Sequence, residues 1–115
     1  MDISFEGYDN SAVTFMAEDN VVPGMPVSLS DSFTVQRAQP GDSVIGIALT
    51  VRGGYAAVQT RGIIRYRCVD GTEPGWARLT VDNKGALSYE SEDGPERLVA
   101  GVETTQSGSI ATVLF

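Results

Sequence analysis

Apolar and polar positions alternate with a period of two along most of this chain, and the longest alternating stretch is broken only by Gly53-Gly54. The flanking runs, Val44 to Val51 and Tyr55 to Arg67, are rich in β-branched and aromatic residues. A two-residue Gly-Gly link accepts the positive φ of a primed hairpin turn. The pattern therefore predicts a long β-hairpin over residues 41–67. Its turn sets the register: Arg52 faces Tyr55, Val51 faces Ala56, Leu49 faces Val58, Ile47 faces Thr60 and Asp42 faces Arg65. Strand side chains alternate between faces. One surface then carries Ile45, Ile47, Leu49, Val51, Ala56, Val58, Ile64 and Tyr66 as a core face. The other carries Val44, Gly46, Ala48, Thr50 and Gln59 with Arg61, Arg65 and Arg67, and with Ile63 and Tyr55 among them.

Shorter runs flank the hairpin. Ala12–Met16, Met25–Ser30, Phe33–Arg37, Trp76–Val81, Ala86–Tyr89, Arg97–Val102 and Ser109–Phe115 read as strands, separated by turns rich in Gly, Pro and Asp. Pro26 restricts its strand to an edge, or takes its first position. No segment sustains a 3.6-residue apolar period for three turns. The expectation is an all-β protein, a small single-domain β-barrel or β-sandwich over residues 12–115 with a long central hairpin. Residues 1–11 are acidic with isolated aromatics at Phe5 and Tyr8, and read as an extended N-terminal arm or an edge strand. A chain of 115 residues buries roughly two-thirds of its unfolded surface, enough for one modest core.

Charge changes the picture more than overall composition does. The net charge of −7 opposes general nucleic-acid binding, which needs clustered Lys and Arg. The charge is also uneven. Five arginines (52, 61, 65, 67 and 78) face two acids between positions 52 and 78, whereas six acids face two cations between 82 and 103. Such bands either dock on another molecule or pair within one subunit.

Candidate chemistry is sparse. There is no histidine, and Cys68 is the only cysteine, so neither a Ser-His or Cys-His pair nor a usual zinc site is expected. Cys68 falls on the inward parity and reads as a small hydrophobe. The acids Glu90, Glu92 and Asp93 sit in a Ser/Gly/Pro-rich loop and read as solvated. No cofactor, metal or enzymatic activity is expected. Trp76, Tyr66, Tyr55 and Phe33 read as core and rim, with a sugar-stacking platform as the alternative. No apolar run approaches the ~20 residues of a membrane helix, and the N-terminal residues lack a signal-peptide pattern, so synthesis in the cytoplasm is expected.

Several of these residues also carry a family resemblance. Phe5-x-Gly7-Tyr8-Asp9-Asn10, the Val-x-x-Gly-x-Pro-Val segment ending at Val27, the run from Gly41 to Gln59, Pro74-Gly75-Trp76, Leu79 to Asp82 with Gly85, and the closing Thr112 to Phe115 together resemble the small head decoration (cement) proteins of tailed bacteriophages and prophages. The Gly41–Gln59 run is the distinctive part. Arg65 and Arg67 depart from the family's usual residues. The resemblance implies a non-enzymatic virion protein that binds the outer surface of an icosahedral capsid and stabilises it. It also implies that the major capsid protein is the partner and that the copies form homo-oligomers, often trimers. On that basis Phe5, Tyr8, Arg61, Arg65, Arg67 and Trp76 are the candidate contacts to capsid or neighbouring subunit. The alternatives are a virion-surface carbohydrate- or host-binding module, and another phage structural role such as a head-tail joining or tail-tube protein.

Overall fold

The structure, a computed structural model, describes residues 11–89 and 94–115. Eleven strands lie among the described residues: β1 (Ser11–Ala17), β2 (Pro26–Asp31), β3 (Thr34–Arg37), β4 (Gly46–Arg52), β5 (Tyr55–Arg61), β6 (Ile63–Cys68), β7 (Gly75–Arg78), β8 (Thr80–Val81), β9 (Leu87–Ser88), β10 (Glu96–Thr105) and β11 (Gly108–Leu114). The first five close into a barrel in the order β1-β3-β2-β4-β5. The remaining six form a second sheet in the order β7-β10-β11-β6-β9-β8. The all-β, barrel-containing architecture expected from the sequence is the one observed.

The predicted turn is present. Gly53 and Gly54 have φ of 59° and 82°, and Arg52 pairs with Tyr55 and Val51 with Ala56. Beyond that point the predicted register fails. Leu49 is an extra residue, so Thr50 pairs with Ala57, Ala48 with Val58 and Ile47 with Gln59. This β-bulge reverses the parity of the strand. Leu49 is 46% exposed while Ala48 is fully buried, the opposite of the predicted assignment. Comparable bulges fall at Ser30 on β2 and Thr60 on β5. Three bulges in five strands supply the coiling that a closed barrel needs.

The second arm of the predicted hairpin does not run on to Arg67. Gly62, with φ of 119°, turns the chain out of the barrel, and β6 pairs instead with β11. Asp42 therefore does not face Arg65. Its carboxylate accepts hydrogen bonds from Ser28 Oγ at 3.1 Å and the Gln39 amide at 2.9 Å, and Arg65 pairs with Thr112. Two other expectations need adjusting. Trp76–Val81 divides into β7 and β8, which lie at opposite edges of the second sheet. Ser11, grouped with the N-terminal arm in the sequence, belongs to β1 and pairs with Arg61, and the rest of that expected arm, residues 1–10, lies outside the described residues. Pro26 occupies the first position of its strand, where its missing N–H costs no ladder bond.

The core has two parts. Inside the barrel, Val21, Val27, Val35, Ala48, Ala56 and Val58 pack with the half-buried Phe15 and Ile45. Between barrel and second sheet, Val44 and Ile47 join Ile64, Leu79, Val81, Leu87, Val99 and Val113. Ile45 and Ile47 thus share a predicted face but serve different cores. Backbone bonds fasten the seam: the Val44 amide donates to the Leu79 carbonyl, and Gly62 and Phe115 exchange bonds. The Gly41 amide adds a bond of 2.8 Å to Thr80 Oγ1.

Candidate interaction surface

The register of the second sheet decides which predicted contact residues share a face. Trp76 pairs with Leu98, Leu98 with Leu114, and Leu114 with Ile63. Directly paired residues project on the same side, so these four form one apolar row across β7, β10, β11 and β6. Leu98, Leu114 and Ile63 are half-buried, and Trp76 at the edge is 69% exposed. Arg65 and Arg67 follow Ile63 by two and four residues on β6, so they stand on the same side. The exposed Leu49 extends the row into the barrel, since Leu49 and Ile63 line one shallow hollow with Ser11, Ala12 and Gln59.

Each predicted site residue can now be placed. Trp76, Arg65 and Arg67 share the outer face of the second sheet. Arg61 is exposed but lies in the barrel strand before the Gly62 turn, so it does not continue the β6 arginine row. Phe5 and Tyr8 lie outside the described residues, as do the loop acids Glu90, Glu92 and Asp93. Arg65 is not a free cation: its Nη2 is 3.3 Å from Glu103 Oε2. That pair joins the basic and acidic bands within one subunit. Both side chains are more than half exposed, so the pair contributes less than about 0.5 kcal/mol. Glu103→Gln should accordingly leave the melting temperature almost unchanged in a thermal scan.

Arg67 is held differently. Its Nη2 donates to the Lys84 carbonyl at 2.8 Å, in the turn between β8 and β9. Asp82 shapes that turn by accepting from the Lys84 and Ala86 amides, each at 2.9 Å. Those bonds, with Lys84 and Arg67 nearby, hold the Asp82 carboxyl below its ordinary range. A carboxyl depressed on folding stabilises the protein above its unfolded value, and that contribution disappears as pH falls through the folded value. Wild-type stability should therefore drop more steeply than that of Asp82→Asn on acidification below about pH 4, measured by urea unfolding at fixed ionic strength.

Two features escaped the sequence reading. Phe33 was expected inside a strand but sits in the β2–β3 turn with φ of 56°, 78% exposed. Its carbonyl accepts from the Met16 amide, and Met16 pairs with Tyr55. Phe33, Met16 and Tyr55 therefore cluster at one end of the barrel, all exposed. A bulky residue in the left-handed region carries strain. Phe33→Asn, which tolerates that region, should raise stability by about 0.5–1 kcal/mol, read from chemical denaturation. The second missed feature is Arg37, whose guanidinium approaches that of Arg67 beside Gly85. No sequence signal connects positions 37, 67 and 85, because the barrel and second sheet bring them together only through their packing.

Cys68 is buried, as expected, and burial pushes its thiol above the ordinary value, which suits a packing residue rather than a nucleophile. Trp76 and Tyr89, the latter 43% exposed, line an open groove of about 470 Å³ with Glu73 and Pro74. Among the described residues no group of three His, Cys, Asp or Glu side chains is placed to hold a metal ion. Among the described residues no helix is long and apolar enough to cross a membrane. No family model matches the chain, and no curated protein matches it.

Proposed function

We propose that this protein is a structural component of a phage head, binding the outer surface of the icosahedral shell and stabilising it. The observation that carries the reading is the Gly41–Gln59 run, which resembles the corresponding stretch of phage decoration proteins. In this chain the run supplies β4, the Gly-Gly turn and most of β5, and so two of the five barrel strands. The contact face in this proposal is the outer side of the second sheet, where Trp76, Leu98, Leu114 and Ile63 form an apolar row beside Arg65 and Arg67. A row of half-buried apolar groups with a polar border is the composition of a protein-protein contact rather than of a small-molecule site. Single contacts of this size are weak, and many copies on a repeating lattice make coverage stable through avidity.

The partner in this proposal is the major capsid protein encoded with it, and the copies on the shell are homo-oligomers. The test is co-sedimentation of the purified protein with expanded heads, followed by heating. The protein should pellet with the heads and raise the temperature at which they release DNA. Trp76→Asp should abolish pelleting while the free protein melts within a few degrees of wild type. Heads that neither bind the protein nor gain heat resistance would overturn the reading.

One observation favours a second reading. Exposed Trp76 and Tyr89 beside Glu73 resemble a stacking platform with a polar rim, as a virion-surface carbohydrate- or host-binding module would need. Glycan-array binding lost in Trp76→Ala, with head binding unaffected, would select it.

A further inference from the structure

We infer that the notch between Arg37 and Arg67 binds a carboxylate side chain presented by an acidic segment of a protein partner. It rests on the chemistry of the notch alone and not on the capsid reading. Arg37 ends β3 in the barrel, Arg67 lies on β6 in the second sheet, and Gly85 sits in the turn between β8 and β9. A Cβ on Gly85 would lie 3.3 Å from Arg67 Nη2 and 3.9 Å from Arg37 Nη2. Both guanidiniums thus end within 4 Å of a single point. Charge-assisted bonds span about 2.7–2.9 Å, so one carboxylate placed between the two ends can accept from both.

The surroundings favour that use. Arg67 spends one N–H on the Lys84 carbonyl, which orients the group and leaves further donors of its fork available. The Arg37 backbone is bonded to Asn20 and Gln39, while its guanidinium forms no ion pair with any described residue. Asp82, on the same turn as Gly85, is committed to the Lys84 and Ala86 amides. Lys84 adds a third cation on the same turn. The walls are Met25, Pro26, Ala38, Tyr66 and Val81, and the space enclosed is about 60 Å³. That admits one carboxylate-sized group and falls far below the ~300–1,000 Å³ of small-molecule sites.

The net charge of −7 does not forbid this. Exposed charges farther away than about 8 Å are largely screened at physiological salt, so the local cations dominate at the notch. An occupant there would also touch both sheets at once and tie the barrel to its neighbour.

The test is an NMR titration of the isotope-labelled full chain with a ten-residue glutamate peptide, with inorganic phosphate as the second probe. The Gly85 amide and the Nε–Hε signals of Arg37 and Arg67 should shift saturably with the peptide. Arg37→Gln and Arg67→Gln should each weaken it by about fivefold or more, whereas Arg78→Gln on the edge strand should not. Arg37→Lys keeps the charge without the fork and should recover only part of the affinity. Should Arg67→Gln disturb the β8–β9 turn, the Arg37 variants carry the result. Absence of saturable shifts at these groups, equal shifts at Arg52, Arg61 and Arg78, or phosphate saturating at the same concentration as the peptide would each overturn the inference.

Discussion

Gly46→Ala is expected to destabilise the protein by about 3 kcal/mol or more. At this position β4 comes so close to β5 that a Cβ would drive into the Gln59 carbonyl oxygen and lie 2.9 Å from Val58 Cγ1. The obstacle is backbone of the neighbouring barrel strand, not the free end of a flexible side chain. Relief would require β4 and β5 to separate, and closure of the barrel opposes that at every strand. Gly101→Ala is the matched control. It also lies in a strand, it has nothing within 4 Å of the added carbon, and its φ is not in the left-handed region. That change should be neutral, or stabilising by a few tenths of a kcal/mol through the unfolded chain. Urea midpoints of the two variants measure the difference. Similar midpoints would mean that the barrel does not close tightly at Gly46.

Leu87→Ala should cost about 2–5 kcal/mol, the second large effect. Leu87 is 1% exposed, among the largest fully buried side chains. It pairs with Cys68 of β6 on one side and Val81 of β8 on the other. Its carbonyl also accepts from the Val69 amide. Strands of two residues have little ladder to hold them, so β8 and β9 depend on this side chain filling the core between barrel and sheet. A loss below about 1 kcal/mol would place the Leu87 side chain outside the core.

These two positions also show what was legible in the sequence. The alternating pattern and the Gly and Pro turns identified the all-β class, and the Gly53-Gly54 turn formed as predicted. Turn chemistry is local, and local signals survive folding. What failed was the extrapolation from that turn. Leu49 looks like any inward residue in an alternating run, and only closure of the barrel requires a bulge there. Small residues at Gly46 and Ala48 were the available hint, since a glycine inside a strand often marks close backbone approach. Gly62 was a similar signal, and reading it as a break would have separated Arg61 from Arg65 and Arg67. Arg65 and Arg67 do share a face, as alternation within their strand requires, but nothing in the sequence placed Trp76 beside them. Register with β10 and β11 accomplishes it instead. Arg37 was invisible as a partner of Arg67 because their proximity is a product of long-range packing.

The central claim is that this protein coats the outside of a phage head, and image reconstruction of heads incubated with the pure protein tests it most directly. Density should repeat over the whole outer shell, in hundreds of copies, with the Trp76 face turned toward the capsid. Bare heads, or a single ring of a few copies at one vertex, would contradict it.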